Sequence, residues 1–195
     1  MPTRTEICNM ALVQIGASPD LQSIETDDGE LAEVVKLGYG MNRDAALAEH
    51  PWNFARTFAK LPKKPDTEAS DYGYANVYAL PTSPYCLRVW RLNPAKHGPF
   101  PTFAVKGREI VTDEGPPLYI DYIARIEDEG KFSPQFAEML ALRIAWWLAP
   151  RISGHRSVQG QIWELYKAML RDARSADGQE GRAEQDPGEF LTSRY

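Results

Sequence analysis

The 195 residues carry a formal charge of −5, with 43% hydrophobic and 25% charged residues. A chain of this size buries roughly 70% of its unfolded surface, so its core needs no metal or disulfide staple. The acidic balance argues against a dedicated duplex-binding module, whose phosphate-facing surface is basic.

Cys8 and Cys86 lie in apolar settings, without CxxC or Cys/His spacing, so a structural zinc site is not expected. The N-terminus, MPTRTEICNMALVQIG, has an acid at Glu6 and lacks the apolar run of a signal peptide. The apolar stretch around Ile144 to Ala149 is too short to span a bilayer. A soluble, intracellularly made protein without a membrane partner is expected.

Thr3-Arg4-Thr5-Glu6 has the form of a capping box. Ile7, Met10, Ala11 and Ile15 then recur at helical spacing, and Gly16 and Pro19 supply a stop. A second helix start is expected at Asp27, with Glu30 three residues on. Leu31, Val34, Val35, Gly38, Met41, Ala45 and Ala48 form one long stripe of helical period. Pro51 ends it by disfavouring helical dihedrals at His50. In the stretch that follows, AEHPWNFARTFAKLP, the residues Trp52, Phe54 and Phe58 are expected to seal the joint between helix and insertion.

Past Trp52 come short aromatic and β-branched runs at 72–80, 86–92, 103–105, 109–112 and 118–124, separated by PTSP, NPAKHGPFP and DEGPP. AVKGREIV reads as a hairpin turning at Lys106-Gly107. Ser133-Pro134 restarts helix, as an N-cap with proline at the first helical position. Phe136, Met139, Leu140, Ile144, Trp147 and Leu148 mark its buried face, and Pro150 closes it. A last helix is expected over about 157–176, with Val158, Ile162, Leu165, Tyr166, Met169 and Ala173 in phase. The polar segment beyond Asp177 has no period and too little apolar surface to order itself.

The expected fold is therefore α+β: a bundle of about four helices with an inserted small antiparallel β module and an extended C-terminal tail. The bundle halves fall at 1–56 and 127–177, the module at 57–126 and the tail at 178–195.

His50, His97 and His155 are scattered one per region, without a nucleophile-elbow pattern. His50, at a helix end, is expected to bond terminal carbonyls. Thr26-Asp27-Asp28-Gly29-Glu30 lacks the alternating ligands of a calcium loop and reads as a helix cap. Glu127-Asp128-Glu129 suits a helix N-terminus. No catalytic, metal or cofactor site is expected. Two alternatives stay open. One is a small enzyme using His50, Asp121 and Glu127 in a cleft beside the β module. The other is a nucleic-acid-binding module built on Phe54, Phe58, Lys60, Lys63 and Lys64, with Arg56 in the same basic patch. Arg151, His155 and Arg156 form a weaker basic group.

Motif order points further. ICNMALVQIGA, AALAEHPWNFAR, the YALP strand exit, VKGREIVTDEGPPLYIDYI and FSPQFAEMLALRIAWWLAPRISG together resemble the tail tubular protein A family, the head–tail adaptors of short-tailed bacteriophages. The likeness runs from residue 3 to about 176, with HPWNFA and FSPQFAEMLALRIA most telling. It implies a non-enzymatic virion protein, made soluble in the host cytoplasm and placed at the head–tail junction. By the same likeness, subunits assemble head-to-tail into a homo-oligomeric ring of about twelve copies. That ring joins the portal protein to a nozzle of the tail tubular protein B kind, and DNA passes through its channel without sequence-specific binding. The C-terminal segment would reach the portal, with Phe190, Leu191, Arg194 and Tyr195 as anchors. Tyr39, Trp146 and Trp163 are subunit-interface candidates, since aromatics concentrate at interfaces, with core packing as the alternative for each. An acidic wall suits a DNA channel, because cationic walls would bind phosphates.

Overall fold

The capping box at the N-terminus forms as its sequence requires. The Glu6 amide donates to Thr3 Oγ1 at 3.2 Å, and the Thr3 amide donates to Glu6 Oε2 at 2.7 Å. It starts α1, Arg4–Gln14, in a computed structural model that describes residues 2–65, 73–93, 101–152 and 154–180. Then follow α2, Glu30–Ala48; β1, Arg56–Leu61; β2, Asn76–Ala79; β3, Cys86–Leu92; β4, Phe103–Lys106; β5, Glu109–Thr112; and β6, Leu118–Ala124. The chain returns to helix in α3, Pro134–Ile152, and α4, Arg156–Glu180. The fold is α+β, with four α-helices among the described residues and an antiparallel β module between the second and third.

Helix α3 is the axis of the bundle, packing against α1, α2 and α4. Its core face carries Phe136, Met139, Leu140, Ile144 and Leu148, all buried. The expected cap holds: Ser133 Oγ accepts the Phe136 amide at 3.3 Å, with Pro134 as the first helical residue. Pro150, expected to close the helix, lies inside it. Proline removes the amide that would bond the Trp146 carbonyl. The Gln159 side chain of α4 donates to that carbonyl instead, at 3.4 Å, so the helix continues. At its far end α4 runs to Glu180, so residues 178–180 are helical rather than part of an extended tail.

Two further expectations about α2 change. The helix begins at Glu30 after Gly29, which makes no side-chain cap. Asp27 closes the preceding loop instead, Oδ2 accepting the Gln22 amide at 2.8 Å and the Ser23 amide at 3.2 Å. The buried face is also rotated from the expected stripe. It comprises Ala32, Val35, Gly38, Tyr39, Asn42, Arg43, Ala46 and Leu47, leaving Met41 61% exposed. An α2 rich in Ala, Val and Leu has two apolar stripes, and spacing alone does not say which meets α3.

The six strands form two three-stranded sheets, β1-β6-β3 and β2-β5-β4, one more strand than the five runs expected. The addition is β1, which pairs with β6 from Arg56↔Ile123 to Leu61↔Leu118. The sheets face each other across Leu61, Tyr78, Leu80, Leu92, Ile110, Ile120 and Tyr122. The hairpin joins β4 to β5, but its two loop residues are Gly107 and Arg108, because Lys106 pairs with Glu109. Gly107 supplies the positive φ, +57°.

At Gly38 the α2 backbone lies close against α3: a Cβ there would sit 2.2–2.6 Å from carbons of the Trp147 ring. Gly40, two residues on, has open space around it. Gly38→Ala is expected to destabilise the protein by about 1–3 kcal/mol through overpacking. Gly40→Ala is expected to stabilise it by about 0.5–1 kcal/mol. Urea unfolding of both variants checks the opposite signs.

Candidate functional site

The joint between bundle and β module is where chemistry-bearing side chains concentrate. Trp52 is fully buried, its indole N–H donating to the Ala46 carbonyl at 3.1 Å and its ring edge-on to Phe136, centroids 5.1 Å apart. Phe54, half-buried, meets Phe136 at 5.0 Å and Phe132 at 5.7 Å. These two seal the joint as expected. Phe58 does not: strand alternation from Arg56 turns it to the outer face of the sheet, 66% exposed.

Ion pairs frame these rings. Glu49 takes Arg143 Nη1 at 2.5 Å and the Tyr166 hydroxyl at 2.6 Å, binding the end of α2 to α3 and α4. Arg125 reaches Asp44 at 2.6 Å, and Arg88 donates to the Ala48 carbonyl at 2.7 Å, tying β6 and β3 to α2. Asp177 is buried and binds the chain leaving α2 from three sides. Its Oδ1 accepts the Asn53 amide at 2.9 Å, its carbonyl accepts Asn53 Nδ2 at 2.6 Å, and its Oδ2 lies 3.1 Å from His50 Nε2. His50 thus bonds a carboxylate 127 residues away rather than its own helix end. The pattern could not reveal this, because Asp177 sits in a polar stretch expected to be the end of the bundle.

The residues of the enzyme alternative are not brought together. His50 pairs with Asp177, Asp121 with Arg56 at 2.6 Å, and Glu127 with Arg43 at 3.7 Å, in three separate pairs. Burial raises the Cys8 thiol to about 12 and the Cys86 thiol to about 11, holding both as inert thiols. Among the described residues, no group of His, Cys, Asp and Glu could hold a metal ion.

The basic patch of the nucleic-acid alternative is divided: Arg56, Phe58 and Lys60 share the outer face of β1, whereas Lys63 and Lys64 turn to other partners. Lys60 lies over the Tyr119 ring at 5.9 Å, Lys63 donates to the Ala75 carbonyl at 3.5 Å, and Lys64 pairs with Glu109. Arg151, of the weaker basic group, pairs with Glu30 at 2.6 Å. His97, Phe190, Leu191, Arg194 and Tyr195 lie outside the described residues.

The interface candidates are used within the subunit. Tyr39 is a core residue, its hydroxyl donating to Glu129 Oε1 at 3.1 Å and its ring under the Arg4 guanidinium at 5.1 Å. Trp146 and Trp163 pack on each other between α3 and α4, centroids 5.0 Å apart, and Trp163 stacks on Tyr166. The apolar groups left outside are others. Leu37 is 79% exposed and joins Met41, one turn on, in a ridge along the outer face of α2. On α1, Val13 is 56% exposed beside a groove of about 670 Å³ lined by Met10, Pro19, Leu142 and Met169. The signal in the sequence is a second apolar stripe on α2, Leu37 and Met41, beside the one that meets α3.

No known protein family matches the chain, and no characterised protein is significantly similar to it. Among the described residues, no helix is long and apolar enough to cross a membrane.

Burial, the largest influence, holds the His50 pKa below its ordinary value against the opposing pull of Asp177. The unfolded chain therefore gains a proton at His50 before the folded chain does. Stability falls as the pH drops below about 6.5, until the folded imidazole titrates as well. Melting temperatures at pH 7.5 and 5.5 should differ less in His50→Gln than in the parent.

Proposed function

We propose that this chain is a structural adaptor subunit of a short-tailed phage. It packs head-to-tail into a ring between the portal protein and a tubular tail nozzle at the head–tail junction. The observation that carries this reading is the pair of unspent apolar surfaces, the α2 ridge of Leu37 and Met41 and the groove between α1, α3 and α4. Ridge and groove share no element, so a contact between them joins two different patches. Such a heterologous contact generates rings when its rotation closes. Burying a side chain like Leu37 or Met41 stabilises by about 1.5–3 kcal/mol, which the lone subunit leaves unrealised.

The sequence likeness supports the same reading through HPWNFAR, on the joint, and FSPQFAEMLALRIA, on the axial helix. In this role the bundle supplies a stiff wedge, and the β module protrudes toward the tail. The ring surrounds DNA without reading its sequence. The C-terminal segment ending in GEFLTSRY anchors in the portal through its large apolar groups.

Light scattering and negative-stain microscopy, with the chain alone and mixed with portal rings, test the reading. The parent should form rings alone or on the portal. Leu37→Glu with Met41→Glu should stay monomeric and folded, and Val13→Glu should act in the same way from the groove side. A parent chain that never associates with portal rings would contradict the adaptor role. Normal rings from the doubly charged variant would contradict the ridge.

A further inference from the structure

A separate surface lies on the β1-β6-β3 sheet, on the face turned away from the sheet core. Strand pairing places Phe58 opposite Asp121 and Lys60 opposite Tyr119, with Arg91 of β3 opposite Asp121 from the other side. These side chains share one face, because directly paired residues of an antiparallel sheet point the same way. At one end of this face Ile123 enters the bundle core, and Asp121 and Tyr119 continue beyond it. Phe58 is 66% exposed and Tyr119 49% exposed, on adjacent strands. As diagonal neighbours, their positions lie about 7–8 Å apart.

The charge around the two rings is cationic. Arg56 reaches Asp121 Oδ2 at 2.6 Å, and Arg91 Nε lies 3.6 Å from the same oxygen. Asp121 is fully buried, with no partner for Oδ1 among the described residues, so one carboxylate holds two guanidinium groups beside Phe58. Lys60 adds a third cation, its ammonium over the Tyr119 ring. Three cations stand against one carboxylate around two exposed rings, Phe58 and Tyr119.

We propose that this face binds single-stranded nucleic acid, with bases stacked on Phe58 and Tyr119 and phosphates met by Lys60, Arg56 and Arg91. Stacking needs only a ring face and tolerates any base, and backbone-tracking cations complete the platform. The net acidity of the whole chain does not oppose this, since a short strand meets only the local charge. An acidic peptide would meet the same cations but would leave both rings without a stacking partner.

The test is fluorescence anisotropy with the full chain, using a labelled oligothymidylate, the same length of duplex DNA and a polyglutamate peptide over a salt series. The single strand should bind most tightly. With about three phosphates neutralised, log affinity should fall with log salt at a slope of about −2. Phe58→Ala and Tyr119→Ala should each weaken binding about tenfold with the salt slope kept. Lys60→Glu should weaken binding and flatten the slope. Both rings are largely exposed, so circular dichroism and melting temperature should stay at parental values. Lack of single-strand binding at 50 mM salt would overturn the proposal. So would affinity unmoved by the ring substitutions, or tighter binding of the duplex or the acidic peptide.

Discussion

Everything in this molecule turns on how the chain leaves α2. Pro51 ends the helix, and within one further residue the Trp52 indole is folded back, fully buried, onto the Ala46 carbonyl and the Phe136 ring. That single placement fixes where β1 starts, because the Ala55 and Arg56 amides both bond the Trp52 carbonyl, at 2.9 and 3.0 Å. Strand β1 in turn sets the register of β6, whose Ile123 belongs to the bundle core while Ile120 and Tyr122 belong to the core between the sheets. Losing a Trp side chain from such a site costs about 3–5 kcal/mol. Here the loss would also unfasten the register of the sheet.

The polar groups around the joint are consequences of that burial. Drawing the end of α2 inward takes Glu49 and His50 partly out of water, and each finds a partner on α4: Tyr166 for the first, Asp177 for the second. Unpaired, these groups would carry the desolvation cost of a buried polar atom. Paired, they connect residues 117 and 127 positions apart in sequence. These hydrogen bonds therefore fasten the end of α2 to α4.

How much of this was legible from the letters depends on the range of the interaction. Local chemistry was readable: the Thr3 and Ser133 caps, the proline at α3's first position and the hairpin at Gly107 each need only a few neighbouring residues. Trp52 and Phe54 at the joint followed from aromatics placed at a change of periodicity. What failed needed a partner from elsewhere. Pro150 stays helical because Gln159 replaces the missing bond, and α4 outlasts its apolar stripe because Asp177 is held by Asn53 and His50. Phe58 faces outward because residues 56–61 form β1, and a strand's alternation decides which side a ring faces. The ridge at Leu37 and Met41 was hidden by two apolar stripes on one helix, of which α3 takes only one.

The proposed adaptor role would require bundle and β module to behave as one body. The joint at Trp52 is what makes them one. Native-state hydrogen exchange, read beside calorimetry on the isolated chain, tests this directly. Amides of Leu47 in α2 and Ile120 in β6 should share one opening free energy, with calorimetric and van't Hoff enthalpies equal. Two separate transitions, with the sheet amides exchanging well before those of the bundle, would contradict the account.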